Sequence, residues 1–185
     1  MKTVIGIDAS TTATGIAAFE EKDGEYVYLD HELFKAPEFK FTKKSKDMTK
    51  TAYKKVHSSE KRIAMEQRVL YMMGEIEGWL DRYSPDVIIV EDAYGQSDML
   101  TLKALSRIQG MIIDYGRRFN VKVEFKNPSS WRKAVGISLT KADKTELKRP
   151  QLKELSKLAV KALYGLDVTD DEADAICIGA SISEG

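Results

Sequence analysis

Four carboxylates stand where a carboxylate is costly to keep. Asp8 closes the apolar run Val4-Ile5-Gly6-Ile7, and Glu91 closes Val87-Ile88-Ile89-Val90. Asp171 and Asp174 precede Ala175-Ile176-Cys177-Ile178-Gly179-Ala180, a stretch apolar on every side and therefore a buried helix. At a spacing of three residues both aspartates project to nearly the same side. Like charges gathered away from water repel each other and lose hydration, so they require a cation or raised pKa values. Oxygen ligands without histidine or cysteine select Mg²⁺ or Mn²⁺ rather than Zn²⁺. The chemistry such a set suits is two-metal phosphodiester hydrolysis, one ion activating water and the other stabilising the leaving oxygen. Each acid also has an ordinary reading: a turn residue at a strand end, or, for Asp170-Asp171, the cap and first-turn charges of a helix.

The elements that must position these acids follow from the apolar pattern. Val4–Asp8, Ile16–Phe19 and Tyr26–Phe34 read as three strands joined by short turns, an antiparallel meander. The stretch from Lys35 to Ser59 is rich in lysine, holds Pro37 and shows no sustained apolar period, so it reads as a long loop or insertion. Ser58 or Ser59 then caps a helix with Met65, Val69, Met72, Ile76 and Leu80 on one face. Pro85 ends it, and the continuous run Val87–Val90 has the character of a strand covered on both faces. A second amphipathic helix carries Met99, Leu102, Leu105, Ile108 and Ile112, followed by a fifth strand over Val121–Phe125. Pro128–Trp131 opens a short helical turn, Gly136 to Arg149 is a lysine-bearing loop, and two helices follow, one after Pro150 and one from about Asp170. The order implies an α/β fold, a mixed five-stranded sheet flanked by helices, in one domain over 1–185 with an insertion at about 35–59.

Composition narrows the partners. The chain has 185 residues and a formal net charge of zero, yet Lys35–Arg68 carries 11 basic residues against four acids and Arg117–Lys157 carries 12 against four. Such polarisation presents basic faces to a phosphate backbone while an acidic cluster sits elsewhere, although two solvated surface segments read the same way. No apolar run approaches the ~20 residues of a membrane helix. The single cysteine, Cys177, reads as a small buried hydrophobe in a reducing compartment. A cytoplasmic location follows, with no membrane partner.

The sequence resembles the RuvC family of Holliday-junction resolvases within the ribonuclease H-like nucleases. The resemblance rests on Ile5-Gly6-Ile7-Asp8 with Thr14-Gly15-Ile16-Ala17, on Pro85–Glu91, and on Asp171-Glu172-Ala173-Asp174-Ala175, and it runs in order through nearly the whole chain. It implies a ribonuclease H-like fold and a homodimer that resolves four-way DNA junctions by paired nicks, leaving 5′-phosphate and 3′-hydroxyl ends. Asp8, Glu91, Asp171 and Asp174 match the family's catalytic acids, holding two Mg²⁺ ions per site, with Mn²⁺ as substitute and no nucleotide cofactor. Tyr94 matches the place of an aromatic near the junction centre. Lys141, Lys144 and Lys148 are alternatives for the catalytic lysines, with Lys144 and Lys148 assigned to catalysis and Lys141 to DNA contact. The long link at 35–59 resembles phage-type members, which would place the work in a bacterial host's cytoplasm.

Further DNA contacts are expected from Ser10, Thr11 and Thr12 in the turn after Asp8, from Lys43, Lys44, Lys54 and Lys55 in the basic stretch with its interleaved aromatics, and from Arg132. Turn chemistry is the ordinary role of the three hydroxyls, and core packing that of Trp131. The same turn also looks like the first phosphate motif of sugar kinases and actin-like ATPases, which enclose a nucleotide between two such domains. A non-catalytic module that binds branched DNA is a third reading. His31 and His57 receive no role.

Overall fold

The computed structural model describes residues 2–93, 98–138 and 147–182. Five strands, β1 (Thr3–Asp8), β2 (Ala13–Lys22), β3 (Glu25–Lys35), β4 (Val87–Glu91) and β5 (Lys122–Lys126), form one sheet in the order β3-β2-β1-β4-β5. The first three pair antiparallel, as the short turns require, whereas β1–β4 and β4–β5 are parallel across helical crossovers. The central strands are covered on both faces, and their alternation sorts the core in two. Ile5, Ile7, Ile16, Ala18, Ile88 and Val90 face one layer of helices; Val4, Ala17, Phe19 and Ile89 face the other.

The first layer is α1 (Lys50–Tyr83) and α2 (Met99–Phe119), which set Met72, Ile76, Trp79, Leu80, Ile108 and Ile112 against the sheet. The second is α3 (Pro128–Ala134), α4 (Arg149–Tyr164) and α5 (Asp170–Ala180), with Trp131, Val160 and Ile176 in its core. Helix α1 starts at Lys50, earlier than the sequence pattern indicates, so the expected loop over 35–59 is helical from Lys50 on. The Thr49 side chain caps the new start by accepting from the Ala52 amide at 3.1 Å. No residue of α1 before Ala64 is buried, so its first turns show no apolar period and rest on capping and helix-favouring lysines. The exposed segment before it is tied down by Glu60, which accepts from the Thr42 amide at 3.2 Å.

Helix α5 is seated unusually deep. A Cβ on Gly6 of β1 would lie 2.3 Å from the Gly179 amide nitrogen, and one on Gly15 of β2 would lie 2.1 Å from the Asp171 carbonyl oxygen. Only glycine lets backbone approach backbone this closely. The contact is what brings the start of α5 down to the ends of β1 and β4.

Candidate active site

Period-two alternation places Asp8 on the same sheet face as Val4 and Gly6, and Glu91 on the face of Val87 and Ile89. Both acids therefore emerge at one end of adjacent parallel strands, on the side where α5 lies. The start of α5 brings Asp171 and Asp174 to the same point, with a capping box in which the Glu172 carboxylate accepts from the Thr169 amide at 2.7 Å. Asp8, Glu91 and Asp171 line a cleft of about 430 Å³. Asp174 lies behind it, 4% exposed, with its Oδ1 buried and lacking a hydrogen-bond partner.

The electrostatics record the convergence. Burial, then Asp174, Glu91 and Asp171, hold the Asp8 carboxyl well above its ordinary range, against the pull of Lys153. Burial also raises Asp174, with Asp171 adding to it, while Ser156, Arg132 and Lys153 draw it back. Glu91 Oε2 accepts from the Trp131 indole at 2.9 Å, and its backbone carbonyl accepts from the Gln109 amide at 3.2 Å. Among the described residues, no group of three acids, histidines or cysteines stands close enough together to hold a metal ion. The Lys153 ammonium, bonded to Asp171 Oδ1, stands among the acids.

The other expected site residues fall in several places. Ser10, Thr11 and Thr12 line the cleft, and turn chemistry engages them: the Thr12 amide donates to Ser10 Oγ at 3.2 Å, Ser10 N donates to Thr14 Oγ1 at 3.0 Å, and Thr11 is buried. Trp131 is fully buried, as its core reading expects, and Arg132 stacks over its ring at 4.3 Å beside the acids. Lys43, Lys44, Lys54 and Lys55 are exposed, the first two before α1 and the last two on it. Lys148 is exposed at the start of α4 and does not line the cleft. Tyr94, Lys141 and Lys144 lie outside the described residues.

Sequence reasoning missed Lys153, Arg68 and Gln109. Arg68 of α1 and Gln109 of α2 line the cleft opposite the acids. Their positions on the inward faces of two amphipathic helices were the available signal. It also missed the role of His31, whose Nδ1 meets the Tyr28 hydroxyl and whose Nε2 lies 3.7 Å from Glu172 in the first turn of α5.

A family model described as Crossover junction endodeoxyribonuclease RuvC matches residues 42–180. Curated proteins of that name resemble the chain: the one from Paenarthrobacter aurescens (strain TC1) is 31% identical over 113 residues, covering 61% of this chain and 54% of the relative. The one from Mycobacterium tuberculosis (strain ATCC 25177 / H37Ra) is 24% identical over 176 residues, covering 95% and 78%. The chain thus spans about half, or less, of the length of the relatives it matches at 30–32% identity. Among solved structures, T. thermophilus RuvC in complex with a Holliday junction substrate has a TM-score of 0.63 at 17% identity, covering 97% of this chain and 91% of that one. The Fowlpox virus resolvase with Holliday junction DNA has a TM-score of 0.57 at 16% identity, covering 97% and 95%. At such identities the likeness shows the fold, the mixed five-stranded sheet between two helical layers. With the family model matching well over half of its length, the chain belongs to the RuvC crossover junction endodeoxyribonuclease family.

Proposed function

We propose that this chain is a divalent-metal-dependent endonuclease of one ribonuclease H-like domain, which resolves four-way DNA junctions by paired nicks and leaves 5′-phosphate and 3′-hydroxyl ends. The observation that carries the reading is the meeting of Asp8, Glu91 and Asp171 on one cleft from three separate elements, with Asp174 buried behind them. The donor set fits Mg²⁺ or Mn²⁺: all its ligands are hard oxygens, and Asp174 Oδ1 is buried without a partner. These four acids would hold two ions, which when bound supply an activated water and neutralise charge on the departing oxygen.

The remaining work belongs to the chain itself. Trp131 fixes the rotamer of Glu91 from one side. The close seat of α5 on Gly6 and Gly15 fixes Asp171 and Asp174 relative to Asp8. The Ser10–Thr12 turn brings hydroxyls to a phosphate at the mouth of the cleft, and Arg68 offers a positive charge on the opposite wall. Lys43, Lys44, Lys54 and Lys55 track the DNA arms, and Arg132 supports the acids from behind. Tyr94, Lys141 and Lys144 keep the roles that the family resemblance gives them, while Lys148, exposed away from the cleft, is left a contact to the DNA backbone rather than a catalytic group.

Paired nicks on a nearly two-fold symmetric junction need two sites, hence a homodimer. Exposed apolar side chains on the long helices, Leu70 at 68% and Ile113 at 52%, suit such an interface. The place of work is the bacterial cytoplasm, the cell's own or a phage host's. The test is cleavage of four-way, three-way and linear DNAs by the wild type and by Asp8→Asn. The expected result is metal-dependent nicking of the four-way junction, abolished in the variant with junction binding retained. Undiminished cleavage in EDTA, or by Asp8→Asn, would overturn the proposal.

A further inference from the structure

Lys153 lies on α4, 18 residues before Asp171, and its side chain is only 15% exposed. An amine placed there loses hydration, which works against its charge. Asp171 is bonded to it directly, and Asp174 and Asp8 stand around it. The position is strategic: Asp171 Oδ1 belongs to the acid set, and the same ammonium faces two further members of that set. Four carboxylates crowded at the ends of β1, β4 and α5 would repel one another in a metal-free chain. A positive charge built into the neighbouring helix relieves that repulsion.

Divalent ions at the same oxygens would carry charge of the same sign as the ammonium and compete with it for Asp171 Oδ1. The geometry points to Lys153 as an internal counter-ion: it holds the carboxylates together before metal arrives, must release Asp171 for the site to load, and thereby sets the site's metal affinity. Lys153 is a positioning residue in this account, since it acts through Asp171. The inference rests on the metal reading proposed above.

Two substitutions with opposite expected effects test it, using full-length protein stripped with EDTA and Mn²⁺ alone as the probe. Lys153→Met removes the competitor, so Mn²⁺ affinity measured by calorimetry should rise about tenfold, while the metal-free melting temperature falls by roughly 3–6 °C. Lys153→Arg places a planar two-pronged donor on the same carboxylate, so the metal-free melting temperature should hold while Mn²⁺ affinity drops about threefold. Loss of packing alone would weaken metal binding in the methionine variant, the opposite of the expected direction. If the wild type takes up no Mn²⁺, the metal reading fails and this inference with it. If the wild type binds Mn²⁺ but the methionine variant binds it equally or more weakly, or the arginine variant equally or more tightly, the inference alone is overturned.

Discussion

Asp8 is expected to work against stability in the metal-free molecule. Its carboxyl is pushed well above the ordinary range by burial and by three neighbouring acids, so the folded chain carries a repulsion that the unfolded chain escapes. Replacing it with the isosteric amide removes one charge from the cluster. Asp8→Asn is therefore expected to stabilise the metal-free protein by about 1–2 kcal/mol, a rise of a few degrees in melting temperature, readable by calorimetry in EDTA. At this scale the sequence was most legible for the acids themselves, because an acid ending an apolar strand, or opening a helix apolar on all sides, violates the local pattern. The contacts that tune them were not legible. Trp131 reaches Glu91 across 40 positions, and Lys153 reaches Asp171 from another helix; nothing in local spacing marks either pair. Cys177 was readable as a small buried hydrophobe, and the structure adds why it is inert: burial raises its thiol to about 12.

The helices differ in how far their patterns reveal them. In α2 and α4 the apolar stripe is continuous and the sequence places both, whereas α1 has its stripe only where it meets the sheet. Beyond Ala64 toward its start the helix is solvated, and its true beginning at Lys50 is marked by the Thr49 cap alone. Where α1 does meet the sheet, it is pinned to β3 by two side-chain bonds, Trp79 to Glu32 and Tyr83 to Asp30, each 2.7 Å. Burial, then the bond to Asp30, raises the Tyr83 hydroxyl from 10.0 to about 12. An unfolded chain loses this proton near pH 10 while the folded chain keeps it. The contribution is thus intact below pH 10 and is lost as pH rises toward 12. Tyr83→Phe is expected to cost about 1 kcal/mol at neutral pH and to flatten the fall in stability between pH 10 and 12, measured by urea unfolding.

For the molecule as a whole, the balanced net charge conceals a division of labour. The acids gather at one end of the sheet, and the lysines of the 35–68 region stand exposed on and before α1, whose 34 residues extend about 50 Å. Replacing Lys43, Lys44, Lys54 and Lys55 by glutamate leaves the core and the cleft untouched. The expected outcome is weaker junction binding and a salt dependence of log K that is shallower by about three to four units of slope, measured by fluorescence anisotropy across salt concentrations. The fold class and the antiparallel pairing of the first three strands were readable because short turns dictate antiparallel pairs, whereas the spatial order β3-β2-β1-β4-β5 came only with the structure. The depth of α5 was not, since glycines at positions 6, 15 and 179 read only as permissive residues until the opposing backbone is in view. That inserted helix has a consequence during translation. It is made last among the described helices, yet it wedges against the earliest strand. A nascent polypeptide exposes Asp8 and Glu91 without Asp171 and Asp174 until the last of these helices clears the ribosomal tunnel, so the four acids can meet only once synthesis has passed position 180.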